Sequence, residues 1–102
     1  MENIVDWSQE TSEQMKTPNL REALGTNLVI TGYRTMNGVH GAFALIDIED
    51  GRRYLSGHKV VQQQLFSMEE YFKEGKAVRV GIYFEEKPSG FGFYLLGEPY
   101  AD

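Results

Sequence analysis

Basic and aromatic residues are interleaved along much of this chain: Arg34, Phe43, Arg52 and Tyr54 in its first part, then Arg79, Tyr83, Lys87 and Tyr94. Aromatic rings offer flat π-faces on which planar groups stack. Guanidinium and ammonium groups meet phosphate oxygens. Other chemistries find less support. With no Cys there is no thiolate nucleophile, disulfide framework or Cys-ligated metal. His40 and His58 are the two histidines and stand 18 positions apart, so no H-x-x-x-H spacing is present and no metal site is expected. Asp47, Glu49 and Asp50 cluster at a turn without the D-x-D-x-D-G pattern of a calcium loop. Ser56-Gly57-His58 lacks the surroundings of a nucleophile elbow, and Gly90-Phe91-Gly92 is not followed by a helix that would receive a phosphate. The residues therefore argue for binding rather than catalysis, with neither cofactor nor metal.

The elements that must position these side chains are short. Residues 27–36 alternate with period two, and Asn37-Gly38 is a hairpin signal before a strand at 39–48. Asp50-Gly51 is a second such signal, before a strand at 52–56. His58–Glu74 reads as helical, with Val61, Leu65, Met68 and Phe72 on one stripe. A Ser67/Glu70 capping box inside it predicts two short helices or one broken one. Strands at 77–86 and 91–96 flank a Lys87-Pro88-Ser89-Gly90 turn. Before them, Thr17 as N-cap, Pro18 and Gly25 frame a short helix with Leu20 and Leu24 inward. Residues 1–16 are polar and acidic and read as a flexible arm, leaving 17–102 as the folded domain.

The order β-β-β-α-β-β predicts a mainly β domain, a five-stranded OB-fold barrel with its helix between strands 3 and 4. An open α+β sheet is the alternative. Gly32 in the middle of the first strand predicts a bulge that lets this strand serve both halves and returns Leu28 and Ile30 to the core. Two-residue loops at both early hairpins place Ala42, Ala44, Ile46, Ile48, Leu55 and Val29 inward. They place Arg34, Phe43, Asp47, Arg52 and Tyr54 outward, and leave Leu45 unaccounted for. The last hairpin is expected to set Tyr83 opposite Tyr94, both outward with Arg79, and to bury Phe84, Phe91 and Phe93.

In the segments LVITGYRTM, GAFALIDIEDGRRYLSG, AVRVGIYFEE and KPSGFGFYLL, residues 27–96 resemble small OB-fold single-stranded DNA-binding proteins of phages and mobile elements. The resemblance implies a cytoplasmic, dimeric DNA-replication protein that binds single-stranded DNA, or RNA, with little sequence preference. The outer face of strands 2 and 3 and the flanking loops would carry the strand, with other replication or recombination proteins as partners. Two departures stand out: an acidic N-terminal stretch, and an end at Glu98–Asp102 without an acidic tail tipped by Phe.

Charge is the counterweight. Ten Lys and Arg against 15 Asp and Glu give −5, which phosphate repels. Residues 1–26 hold five acidic and two basic side chains, or −3. The remaining 76 hold ten and eight, or −2, so the body is nearly balanced and stacking would lead the binding. An alternative of another class is a protein-binding module, or an acidic nucleic-acid mimic, using the same face. An oligosaccharide-binding domain is a third. No apolar run approaches the ~20 residues of a membrane span.

Overall fold

The computed structural model describes residues 17–101. The expected arm at 1–16, with Trp7, lies outside them. Five strands, β1 (Asn27–Gly38), β2 (Gly41–Ile48), β3 (Arg53–Ser56), β4 (Val78–Glu86) and β5 (Gly92–Gly97), form one antiparallel sheet in the order β3-β2-β1-β4-β5. Two helices, α1 (Lys59–Ser67) and α2 (Glu69–Lys73), join β3 to β4. The edge strands β3 and β5 do not pair, so the sheet is open. No helix among the described residues is long and apolar enough to cross a membrane.

The bulge expected at Gly32 is present. The register of β1 shifts between Ile30 and Gly32; residues before the shift pair with β4 and residues after it with β2. Leu28 and Ile30 are thereby buried in the main core with Ala44, Ile46, Val80, Ile82 and Leu96, whereas Val29 is only half-buried. From α1, Val61 and Leu65 close this core, and Met68 and Phe72 pack against it, as their spacing predicts. The break between α1 and α2 is real, but the capping box is not. No side chain caps α2, and the Ser67 hydroxyl donates backward to the Gln63 carbonyl at 3.1 Å.

The first helix is a single 3₁₀ turn at Leu20–Ala23, capped by Asn19 rather than Thr17. The Asn19 side chain accepts from the Arg21 N–H at 3.0 Å, and the Glu22 carboxylate accepts from the Asn19 N–H at 3.3 Å. Because 3₁₀ geometry repeats every three residues, Ala23 joins Leu20 inside and Leu24 stays exposed.

The first two hairpins turn differently from expectation, and the Lys87–Gly90 turn forms where expected but as part of a longer loop. β1 and β2 are joined through Val39-His40, with Gly38 opposite Gly41 and the positive φ at Gly41 (110°) instead of at Asn37-Gly38. The other two share one design. The Ile48 N–H donates to Arg52 O at 3.0 Å and the Gly51 N–H to Ile48 O at 2.9 Å; the Lys87 N–H donates to Phe91 O at 2.6 Å and the Gly90 N–H to Lys87 O at 2.9 Å. Each is a three-residue loop ending in a left-handed glycine, with φ of 94° at both Gly51 and Gly90. A three-residue loop shifts the strand that follows by one residue relative to a two-residue loop, and one residue exchanges faces.

That slip relocates the β3 side chains. Tyr54 stands opposite Ile46 and Leu55 opposite Leu45. Tyr54 therefore enters the main core at 8 % exposure. Leu55 joins Phe43 and Leu45 in a second apolar cluster on the other side of the sheet, with Met36 packed against it. Residues 43–46 are consecutively buried, so β2 is covered on both faces. Leu45, which fitted neither face before, belongs to this second cluster. Ala42, expected inside, is exposed.

Candidate functional site

The side chains expected on an outer β2–β3 face are placed differently. Phe43 is 2 % exposed and Tyr54 lies in the core, so neither ring offers a free face at that surface. Arg52 is held at the β2–β3 loop. Its Nε donates to the Asp50 carboxylate at 2.7 Å and its Nη1 to the Tyr54 hydroxyl at 3.0 Å, with the guanidinium 5.7 Å from the Tyr54 ring centre. The backbone N–H of Arg52 and then its side chain hold the Asp50 carboxyl below its ordinary range, and the same Asp50 contact raises Arg52. Neighbouring Arg53 pairs with Asp47 at 2.9 Å. Arg34 on β1 and Arg79 on β4 are exposed at their strand positions, and each makes interactions of its own.

In β4–β5 the one-residue slip sets Phe84 opposite Tyr94 and Tyr83 opposite Leu95. Tyr83 is absorbed by the C-terminal segment. Its ring stacks on Tyr100 with centres 4.5 Å apart, and its hydroxyl donates to Glu98 O at 2.5 Å. Tyr100 is fixed in turn. Its hydroxyl donates to Ile82 O at 2.7 Å, and its backbone N–H and carbonyl are both bonded by the Asn27 side-chain amide. Burial and then the neighbouring Tyr83 push the Tyr100 hydroxyl pKa upward. Gly81 and Gly97, directly paired, make room for this fold-back. A Cβ on Gly81 would stand 2.6 Å from Glu98 O, and one on Gly97 would stand 2.7 Å from the Tyr83 ring.

On the opposite face of the same hairpin, Val80, Ile82 and Leu96 finish the core, and Phe84 and Tyr94 continue the row beyond it. Phe84 is 48 % exposed and Tyr94 half-buried, their rings meeting edge-on with centres 4.9 Å apart. The Phe84 ring covers Gly92, whose missing Cβ is what admits it. Tyr94 also meets the His58 ring at 5.5 Å. At the tip Phe91 is 77 % exposed, and the Lys87 ammonium lies 5.4 Å from the ring centre of half-buried Phe93. Phe84 and Phe91 were expected inside; Phe84 keeps the face of Val80 and Ile82 but lies beyond the end of the core, and Phe91 sits at the exposed tip.

Side chains of α1 hold this hairpin to the rest of the sheet. Gln64 accepts from the Leu96 N–H at 2.8 Å and donates to Leu96 O at 2.7 Å, filling the place of a neighbouring strand at the β5 edge. Gln62 donates to Ala42 O at 3.3 Å. The accessible aromatics of the hairpin thus divide between its two faces: Phe84 and Tyr94, with His58, on one, and Phe93, with Lys87, on the other, with Phe91 exposed at the tip. Of the eight residues expected from sequence, this group holds Lys87 and Tyr94. The alternation of Phe and Gly in SGFGFY was the signal available for the others. Among the described residues no cluster of three or more His, Asp or Glu side chains could hold a metal ion. Comparison with protein-family models, curated proteins and solved structures finds no match, so the site rests on its own geometry.

Proposed function

We propose that this protein binds single-stranded nucleic acid with little sequence preference, DNA in the first instance, and that bases stack on the β4–β5 hairpin. The observation that carries the reading is the exposure of Phe84, on the face it shares with Tyr94, and of Phe91 at the tip, with a lysine ammonium lying against the Phe93 ring on the other face. Core aromatics need no such exposure. Each base stacked on a ring contributes about 1–3 kcal/mol, so two or three stacks offset the lack of a strongly basic surface. The strand order supports reading the fold as a partly open OB barrel. β1 serves both halves of the sheet, the helices fall between β3 and β4, and α1 is bonded to both β2 and β5. In that architecture the loops joining strands 1–2 and 4–5 flank the ligand, and the aromatic hairpin contains the second of them.

A second reading is favoured by Glu85 and Glu86, both exposed beside the aromatic residues: a docking surface for another protein, whether a replication or recombination partner or a second copy of this chain. Fluorescence anisotropy with labelled oligo-dT separates the two. Under the first reading binding appears at micromolar protein in low salt and weakens as salt rises. The Phe84→Ala/Tyr94→Ala variant then loses at least tenfold in affinity while remaining folded. Absence of binding in low salt overturns the first reading and leaves the hairpin to protein docking.

A further inference from the structure

The two histidines, 18 positions apart in sequence, line one cleft of about 290 Å³. His40 comes from the β1–β2 loop and His58 from the residue before α1; Phe43 and Leu55 also line it, with Gly41 and Gly57. The cleft is small beside the roughly 300–1,000 Å³ of typical small-molecule pockets, which suits one nucleoside-sized group. Its chemistry is mixed in the way a nucleobase requires: an apolar wall at the edge of the Phe43–Leu55 cluster, imidazoles with nitrogens that donate and accept, and backbone left accessible by glycine. Gly41 holds a φ of 110°, a conformation other residues rarely adopt, so this side of the cleft is kept free of a side chain by the turn itself.

His58 is the link to the hairpin. Its ring meets Tyr94 at 5.5 Å, and Tyr94 meets Phe84 at 4.9 Å, so an aromatic path runs from Phe84 through Tyr94 and His58 to the cleft and His40. We infer that this cleft is a subsite for one base of a single strand whose neighbouring bases lie on Tyr94 and Phe84. The inference rests on the reading proposed above. It adds a definite place for a base, contributed by the β1–β2 loop and the β3–α1 junction, to which the buried Phe43 supplies apolar lining instead of a stacking platform.

Titration of the whole protein with oligo-dT of eight nucleotides, followed through the imidazole carbon-bound proton signals in NMR, tests it. Anisotropy of His40→Ala and His58→Ala runs in parallel. The subsite predicts that both imidazole signals move on binding and that each variant loses about fivefold or more in affinity, the lower end for one lost stack. Imidazole signals that stay fixed, with full affinity in both variants while Phe84→Ala/Tyr94→Ala still weakens binding, overturn the subsite and leave the hairpin reading intact. Failure of oligo-dT to bind the unaltered protein at all overturns the reading and the subsite together.

Discussion

The β2–β3 hairpin and the β4–β5 hairpin follow nearly the same recipe and come to opposite ends. Both turn through three residues closed by a left-handed glycine, and both carry aromatic residues in their strands. In β2–β3 both faces are covered, so Phe43 and Tyr54 are interior. In β4–β5 the C-terminal segment covers one face through Tyr100, and the core ends before Phe84 on the other. The same residue types therefore serve as packing in one hairpin and as exposed surface in the other. What separates them is which neighbouring segment lies over each face.

The largest test of that contrast is a pair of truncations. Phe43→Ala should cost about 3–5 kcal/mol, because it empties a site buried on the second face of the sheet. Phe91→Ala should change stability by no more than about 0.5 kcal/mol, as expected for a surface position. Denaturant unfolding measures both, and equal costs would abolish the distinction between interior and surface hairpins. A finer comparison lies within β4–β5 itself. Gly81→Ala drives a Cβ against the Glu98 carbonyl, which the Tyr83 hydroxyl and the Tyr100 anchors hold in place, and should cost about 1–3 kcal/mol. Gly92→Ala meets only the Phe84 ring, which is half in solvent and can swing aside, so its cost should stay below about 1 kcal/mol. A larger cost for Gly92→Ala than for Gly81→Ala would mean that the Phe84 ring is fixed and the C-terminal anchor loose.

The smallest effect belongs to the β2–β3 loop. The Asp50 carboxyl is held below its ordinary range by the Arg52 backbone N–H and side chain, so it stabilises the folded chain in its charged form. That contribution is present at neutral pH and fades as pH falls below about 4, where the carboxylate takes up its proton. Asp50→Asn should therefore lower the unfolding midpoint slightly at pH 7 and leave it unchanged near pH 2. A difference that persists at the lower pH would show that the loop depends on the side chain's shape rather than its charge.

The order of elements along the chain, the bulge at Gly32 and the inward stripe Val61–Leu65–Met68–Phe72 were legible in the sequence, because each depends on local periodicity or on one residue's backbone freedom; the helix break was expected from a capping box that does not form. Hairpin register was not legible. Asp50-Gly51 and Ser89-Gly90 fit a two-residue and a three-residue loop equally well by residue type, and the difference of one residue decides which face Tyr54 and Tyr94 occupy. The candidate site inherited that ambiguity: Lys87 and Tyr94 remained in it, Phe43 and Tyr54 went inside, and Phe84 and Phe91 came out.

By itself, then, the sequence determined a five-stranded, mainly β domain with two short helices, a nearly balanced body and more aromatic residues than its core takes in. Only the tertiary structure decided which of those aromatics meet water, and that His40 and His58 share a cleft. Both outcomes depend on contacts between segments far apart in the chain: Tyr100 folding back on Tyr83, Gln64 closing the β5 edge, and the β1–β2 loop coming to lie beside the start of α1. Periodicity records that a side chain has two faces to choose between, and long-range packing makes the choice.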